Sequence, residues 1–187
     1  LVSNPGFEDG TWVDGWSQPD GWWTYAYSPQ WINDAGAAHS GTKSMELDGF
    51  YGWWWNSSYG ASYWYTSTAE VGTEIGATPG NEYAFSVWAR GDNGADLQFQ
   101  ARFRDGSGAW LEDPAQGITV TTTDVWTQYD LGTYLAPAGT VDLQLVLMST
   151  GSSLGSVFVD DIVGIPEPVT ISLLALGGLM ISRRKKA

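Results

Sequence analysis

The sequence predicts an all-β protein: a two-sheet antiparallel β-sandwich of the jelly-roll kind, followed by one short hydrophobic helix at the C-terminus. Three features of the 187 residues lead to this prediction. Apolar residues recur at every second position in several stretches, which is the period of a strand with one buried face. Gly, Asn, Asp and Pro separate these stretches from one another. A single uncharged run near the C-terminus predicts the helix, and no polar face interrupts it as it would in an amphipathic core helix.

About nine strands are predicted, the number expected of a two-sheet sandwich or jelly roll. Turn signals such as Pro79-Gly80, Asp92-Asn93-Gly94 and Asp105-Gly106 fall where the alternation stops. One apolar face on each strand, doubled across two sheets, gives an adequate core for this length. In chain order the predicted strands are residues 22–27, 44–47, 62–68, 83–90, 97–104, 119–122, 126–131, 141–148 and 157–162.

The charge of the chain divides it into two parts. Residues 1–165 hold four Lys+Arg and 20 Asp+Glu, a net charge of −16, whereas residues 166–187 hold four bases and one acid, a net charge of +3. We therefore predict a β-sandwich domain over 1–165 and a separate tail over 166–187. An acidic body argues against nucleic-acid binding, which needs clustered bases. The absence of Cys excludes disulfides, thiol nucleophiles and Cys-based zinc sites.

The tail has the composition of a membrane-directed segment. Residues 169–181 carry no charge and are followed by Ser182 and four consecutive bases. Thirteen helical residues reach about 20 Å, short of the roughly 30 Å hydrocarbon core, so the span is marginal and depends on basic side chains that snorkel to the interface. The positive-inside rule places those bases in the cytoplasm and the body outside.

The order of these features resembles the PEP-CTERM sorting signal of Gram-negative bacteria. The residues that carry the resemblance are Pro166, Glu167 and Pro168 at the start of the tail, and Arg183 and Arg184 after the apolar run. The resemblance implies export, processing near the motif by an exosortase-type enzyme, and a body delivered to the outer surface or the extracellular matrix. The chain begins at Leu1 without a charged leader, so we also expect that a signal peptide preceded it.

The body resembles a second family, the galactose-binding-like jelly rolls that include many carbohydrate-binding modules. The resemblance covers nearly all of 1–165 through an ordered series of short pieces. The resemblance implies a β-sandwich fold. It is weaker evidence for a carbohydrate ligand, because one fold hosts many functions. The pieces include Val2-Ser3-Asn4-Pro5-Gly6-Phe7-Glu8, Asp14-Gly15-Trp16, His39-Ser40-Gly41-Thr42-Lys43-Ser44 and Val157-Phe158-Val159-Asp160-Asp161-Ile162.

The same resemblance implies one structural calcium ion. Carried over by position, its ligands would be the Glu8 carboxylate, the Lys43 backbone carbonyl and the Asp160 carboxylate. Calcium takes several hard oxygen ligands from scattered side chains and main chain, so these groups suit it. Asp160 and Asp161 are neighbours on a predicted strand, so we expect them to point to opposite faces and only one of them to join the site.

The aromatic residues predict a contact surface. Neighbouring rings on a strand face opposite ways, so the rings of residues 53–55 and 63–65 cannot all lie in the core. Aromatic rings stack on sugar faces, while Gln and Arg bind hydroxyl groups. We predict that the outward positions of two further strands add one concave surface. The predicted ligand-binding residues are Trp53, Trp54, Trp55, Trp64, Trp88, Arg90, Gln98, Gln100 and Arg102.

No motif predicts an enzyme. Residues 151–155 read Gly-Ser-Ser-Leu-Gly, which matches a nucleophile pattern, but that pattern needs a strand-turn-helix context and this segment lies between two predicted strands. The only histidine, His39, lies in the family's loop motif. We predict a non-catalytic exported protein that binds polysaccharide through exposed aromatics. The alternative is a self-assembling structural subunit of a filament or coat, with the hydrophobic tails packed together.

Overall fold

A computed structural model describes residues 2–11, 18–25, 29–48, 51–56, 61–66, 69–111, 116–149 and 155–167. Within these ranges the chain forms strands and a single 3-10 turn, Asp92–Gly94. The strands are β1 Gly10–Thr11, β2 Gln18–Pro19, β3 Trp23–Tyr25, β4 Pro29–Asn33, β5 Lys43–Asp48, β6 Tyr51–Asn56, β7 Ala61–Thr66, β8 Ala69–Gly76, β9 Glu82–Gly91, β10 Asp96–Asp105, β11 Gln116–Thr121, β12 Thr127–Leu135, β13 Thr140–Ser149 and β14 Ser156–Glu167.

Two five-stranded antiparallel sheets form the sandwich. The first sheet has the order β11-β10-β13-β8-β3, and the second sheet has the order β12-β9-β14-β5-β4. The short strands β1 and β2 pair with each other, as do β6 and β7. The prediction of an all-β, two-sheet antiparallel sandwich is confirmed.

The core lies between the inner faces of the two sheets, and the period-two pattern explains its composition. Buried and partly exposed positions alternate along β9 and β10. Phe85 of β9 and Phe99 of β10 pack with a 5.5 Å distance between ring centroids, so the two strands meet across the core. Each fully buried Phe or Leu side chain contributes roughly 1.5–3 kcal/mol relative to exposure.

Strand β8 is a finding that the alternation did not predict. Residues 69–76 contain two glycines and two glutamates, and glycine is depleted in strands, so the segment lacks the composition of a strand. The structure nevertheless places it between β13 and β3, where it pairs with both. Its inward positions Thr73 and Ile75 are buried.

Strand β14 is the central strand of the second sheet and carries a β-bulge. Its register with β9 shifts between Asp160 and Val163, and Asp161 has a positive φ of 46°. A bulge adds a residue on one strand and redirects the side chains around it. The strand continues through Glu167, two residues beyond the predicted domain boundary at 165.

The remainder of the tail, including the predicted helix, Pro168, Arg183 and Arg184, lies outside the described residues. None of the described segments is a helix with the length and apolar character needed to cross a membrane.

Candidate ligand-binding face and N-terminal joint

The predicted ligand-binding residues on β9 and β10 lie on different sheets. Gln98, Gln100 and Arg102 belong to the first sheet, whereas Trp88 and Arg90 belong to the second. Their odd-numbered neighbours fill the core between the sheets, so the two groups face outward on opposite sides of the sandwich. The prediction that they form one concave surface is therefore wrong. The turn between β9 and β10 carries the chain from one sheet to the other instead of forming a hairpin within one sheet.

We call the outward side of β10, β13 and β8, with the residues beside them, the polar face. One row of paired residues crosses it from Trp23 through Gly72, Val146 and Gln100 to Gly117. The two glycines have no side chains, so the surface along this row lies close to the sheet backbone. A Cβ built at Gly72 would lie 2.7 Å from Cε2 of the Trp23 ring, and one built at Gly117 would lie 3.2 Å from Cγ of Gln100.

The polar groups on this face are held in place by one another. Nε and Nη2 of Arg102 both donate to Oε1 of Gln100, at 2.9 and 2.6 Å. Gln144 lies opposite Arg102 on β13 and is itself buried, although it points away from the main core. Two side chains predicted to bind ligand, Gln100 and Arg102, are thus joined into a preset pair.

One end of the polar face carries a charged cluster beside an exposed tryptophan. Nη2 of Arg104 lies 2.6 Å from Oε1 of Glu74 and 3.8 Å from Oδ2 of Asp142. The Arg104 guanidinium also lies 5.4 Å from the centre of the Trp110 ring, which is 49% exposed. Sequence reasoning missed Trp110, because it follows a Gly- and Ser-rich turn and belongs to no alternating run.

The four remaining predicted tryptophans lie on the β6–β7 hairpin. The register pairs Trp53 with Trp64, while Trp54 pairs with Tyr63 and Trp55 with Ser62. Positions 53, 55 and 64 therefore share one face of the hairpin and positions 54 and 63 share the other. The side chains of these residues lie outside the described part of the structure.

Trp88 and Arg90 are engaged within the protein on the outer side of the second sheet. The His39 ring stacks on Trp88 with a centroid distance of 3.8 Å and an angle of 12° between the planes. The Arg90 guanidinium lies 4.2 Å from the Phe158 ring centre and 5.6 Å from that of Trp126. These contacts hold two loops against the sheet. A ligand-binding role for Trp88 and Arg90 stays a prediction.

The bulge in β14 brings both neighbouring aspartates to the loop before β5. Oδ2 of the fully buried Asp160 accepts hydrogen bonds from the backbone N–H groups of His39 at 2.9 Å and Ser40 at 3.1 Å. Asp161 reaches the same residues through Oδ2 to Nδ1 of His39 at 2.7 Å and through Oδ1 to Oγ of Ser40 at 2.9 Å. The expectation of opposite faces is wrong, because it assumed a regular strand.

Glu8 ties the N-terminal segment to the same loop. Its Oε1 accepts hydrogen bonds from the backbone N–H groups of Thr42 at 2.8 Å and Lys43 at 2.9 Å, and its Oε2 accepts one from Oγ1 of Thr42 at 3.0 Å. The Lys43 ammonium donates to the backbone carbonyl of Glu8. Nearby, Nε1 of Trp31 donates to the carbonyl of Phe7 at 2.8 Å. We call Glu8, the loop of residues 39–43, Asp160 and Asp161 the N-terminal joint.

The two carboxyl groups proposed as metal ligands have pKa values shifted in opposite directions. Burial disfavours ionisation of Glu8, but the hydrogen bonds from Thr42 and Lys43 and the Lys43 charge outweigh it, so the pKa of Glu8 is lowered. Burial raises the pKa of Asp160 to about 6, and the charge of Asp161 adds to this effect. The backbone N–H donors to Asp160 oppose the rise without cancelling it.

The oxygen atoms of the joint are of the kind that binds calcium. A Cβ built at Gly6 would lie 3.1 Å from Oδ1 of Asp161 and 3.5 Å from Oδ1 of Asp160, so the glycine leaves space beside both carboxylates. In the described part of the chain, no three His, Cys, Asp or Glu side chains group into a metal site. A calcium ion here would therefore need main-chain oxygens in addition to Glu8 and Asp160.

The joint does not have the arrangement of a serine hydrolase. Oγ of Ser40 and Nδ1 of His39 both bond to Asp161, whereas a hydrolase places the histidine between the serine and the aspartate. Residues 151–154, which include the serine of the nucleophile-like pattern, lie outside the described part of the chain.

Comparison with known proteins shows the fold. No protein-family model matches the chain, and no curated protein matches it. A family 16 carbohydrate-binding module is similar in structure, with a TM-score of 0.59 and 20% identity over 88% of this chain and 99% of that chain. A CBM61 module in complex with beta-1,4-galactotriose gives a TM-score of 0.56 and 17% identity, over 89% of this chain and 97% of that chain.

A larger protein contains a similar domain. The enzymatically active domain of bacteriophage CBA120 tailspike protein 4 gives a TM-score of 0.60 and 15% identity. The match covers 89% of this chain and 21% of that chain, so this chain spans about a fifth of the phage domain. These likenesses establish that the body has the jelly-roll sandwich found in carbohydrate-binding modules.

Proposed function

We propose that this protein binds polysaccharide through the polar face of its first sheet, without catalysing a reaction. The observation that carries the proposal is the preset pair of Gln100 and Arg102, placed on a low sheet surface between Trp23 and Trp110. Polar groups whose geometry is fixed before binding lose little conformational entropy when a sugar hydroxyl arrives. Tryptophan rings offer flat apolar surfaces for the faces of pyranose rings.

The fold comparisons support the general class of function proposed here, which is carbohydrate binding. One structural neighbour is a module in complex with beta-1,4-galactotriose, and another is named as a carbohydrate-binding module. A sheet face suits an extended chain of sugars better than a closed pocket does, because a chain can lie across several strands. A ligand-binding role for the four tryptophans of the β6–β7 hairpin stays a prediction.

The proposal is tested by affinity electrophoresis through gels that contain soluble β-glucan, xylan, galactan or uronate polymers. We expect retardation by at least one polymer, and about a tenfold loss of affinity on Trp110→Ala or Gln100→Ala. Val125→Ala is the matched control, because Val125 is exposed at 62% and lies outside the polar face. No retardation by any polymer would contradict the proposal. Equal loss in the Val125→Ala control would contradict the assignment to this face.

We propose a structural calcium ion at the N-terminal joint, held by Glu8 and Asp160 with main-chain oxygens, among which the sequence resemblance assigns the Lys43 carbonyl. Calcium supplies a compact positive charge that links scattered oxygen ligands. At this position it would fasten the N-terminal segment to β14. It would not take part in sugar binding, because Glu8 and Asp160 contact the loop before β5 and not the polar face.

We propose that the tail directs the protein out of the cell and is read by an exosortase-type enzyme at the membrane. The support is the sequence order alone: Pro166-Glu167-Pro168, an uncharged run and a basic end. A role in binding polysaccharide at the cell surface or in the matrix is consistent with such a sorting signal. Intact-mass measurement of the surface-released protein is the test, and we expect a C-terminus close to Pro168. A mature chain that retains the basic end would contradict processing.

A self-assembling subunit remains the second candidate, and one observation favours it. Val163 and Ile165 are exposed on the outward side of β14, where they pair with Ser86 and Ala84 of β9. A second copy could cover this apolar strip. Light scattering of the protein with and without its tail distinguishes the candidates: a monomer with polysaccharide affinity supports binding, whereas regular polymers without affinity support assembly.

A further inference from the structure

Arg102 has one unused edge of its guanidinium on the polar face. Its Nε and Nη2 atoms are engaged by Gln100, which fixes the plane of the guanidinium. The opposite edge, formed by Nη1 and the second hydrogen of Nη2, has no hydrogen-bond partner among the described residues, and no described carboxylate forms an ion pair with Arg102. A planar guanidinium edge of this kind matches a carboxylate with two parallel hydrogen bonds.

The neighbouring acids are paired with a different arginine. Glu74 and Asp142 both lie within ion-pair distance of Arg104, the next outward residue on β10. Arg102 faces Gln144 across the ladder, which is neutral. The body carries a net charge of −16, but charges farther than about 8 Å away are largely screened at physiological salt. Arg102 therefore carries a positive charge that no described acid pairs with, and an anionic partner would supply the missing carboxylate.

Trp110 lies at the distance at which a sugar could use both residues. Trp110 is bridged to Arg104, and Arg102 lies two positions from Arg104 on the same strand, a spacing of about 6.8 Å at 3.4 Å per residue. A pyranose stacked on Trp110 would direct a ring substituent toward Arg102. Gly76, in the same row as Arg104, leaves the surface open, since a Cβ built there meets nothing within 4 Å.

We infer that the ligand of the polar face is a polysaccharide that contains uronic acids, with a sugar carboxylate bound by the free edge of Arg102 and its ring stacked on Trp110. The inference rests on the proposed polysaccharide binding and narrows it to one class of sugar.

The test compares each uronate oligomer with its own methyl ester, so that only the carboxylate charge changes. The probes are hexagalacturonate and hexamannuronate with their esters, titrated by calorimetry at 150 mM NaCl without added calcium. We expect at least one acid to bind about tenfold or more tightly than its ester, the gain typical of charge-assisted hydrogen bonds. Arg102→Gln should remove this difference. Lys43→Gln, which removes one positive charge at the N-terminal joint and away from the polar face, should preserve it.

The outcomes separate this inference from the proposed function. If acid and ester bind equally, or if Arg102→Gln keeps the preference for the acid, the inference is overturned. If neutral polymers bind and neither uronate does, the uronate assignment fails while polysaccharide binding stands. If no polymer of either kind binds, both fail. The comparison of acid with ester on the unaltered protein decides the preference even if Arg102→Gln does not fold.

Discussion

Nδ1 of His39 lies 2.7 Å from Oδ2 of Asp161, although the two residues are 122 positions apart in the chain. The contact joins the loop before β5 to the bulge of β14, and the His39 ring also stacks on Trp88. Replacing His39 with Phe keeps a flat ring for stacking and removes the hydrogen bond. We expect His39→Phe to lower the free energy of unfolding by about 1–2 kcal/mol, measured by urea denaturation. Stability equal to that of the unaltered protein would contradict a role for this bond.

The raised pKa of Asp160 predicts a pH dependence with a definite sign. Its pKa is about 6 in the folded protein against the ordinary value of 3.8, so between these values the folded state holds a proton that the unfolded state has lost. The contribution of Asp160 to stability is therefore fully present below pH 3.8 and is lost as the pH rises through about 6. Relative to Asp160→Asn, the unaltered protein should lose on the order of 2–3 kcal/mol between pH 4 and pH 7.

This measurement is made in chelator, because a bound cation would favour the ionised carboxylate. Urea denaturation at several pH values gives the difference between the two proteins, which cancels the titration of other groups such as Glu8. A difference that does not change between pH 4 and pH 7 would show that Asp160 titrates at its ordinary pKa in the folded state.

The contacts in the N-terminal joint predict that Glu8 contributes more to the free energy of unfolding than the neighbouring Asp9 does. Three hydrogen bonds to the Glu8 carboxylate connect it to Thr42 and Lys43, whereas Asp9 is exposed. Glu8→Gln should lower the free energy of unfolding at pH 7 by about 1–2 kcal/mol, and Asp9→Asn should change it by less than about 0.5 kcal/mol. Because the pKa of Glu8 is lowered on folding, the effect should fade as the pH falls below its ordinary value of 4.5.

Calcium should raise the melting temperature if the proposed structural ion is present. Saturation at about 100 times the dissociation constant adds about 2.7 kcal/mol, which corresponds to roughly 5–10 °C for a domain of this size. Lys43→Met should increase calcium affinity, because the Lys43 ammonium contacts the Glu8 carbonyl and its charge opposes a second cation. Melting curves that are the same with calcium and with chelator, in both proteins, would contradict the ion.

Two glycines on one face of β8 form a matched pair for testing the polar face. A Cβ at Gly72 would collide with the Trp23 ring and would lie 2.8 Å from the backbone oxygen of Leu145, whereas one at Gly76 meets nothing within 4 Å. We expect Gly72→Ala to displace Trp23, to lower the free energy of unfolding by about 1–3 kcal/mol and to weaken polysaccharide binding. Gly76→Ala should change neither the free energy of unfolding nor polysaccharide binding by much. Tryptophan fluorescence and affinity electrophoresis report both effects, and equal behaviour of the two variants would contradict the packing of Trp23.

The sandwich could be predicted because period-two alternation in β9 and β10 follows directly from burial of one face. Alternation shows which side of a strand is buried but not which sheet the strand joins, so Trp88 and Gln100 were placed on one surface when they lie on opposite ones. The bulge at Asp161 was missed for a similar reason, since it depends on how β14 pairs with β9. Trp110 gave no signal because its position depends on a single bridge to Arg104.

The central position of β14 has a consequence for the order of folding. The strand lies between β9 and β5, and the N–H of its residue Ile162 donates to the carbonyl of Pro5 near the start of the chain. The second sheet therefore stays divided into two halves until residues after 155 are available. Contacts of such long sequence separation make folding slow. A nascent or translocating chain reaches its closed sandwich only after its last strand has emerged, so the body cannot complete its fold ahead of its own C-terminal end.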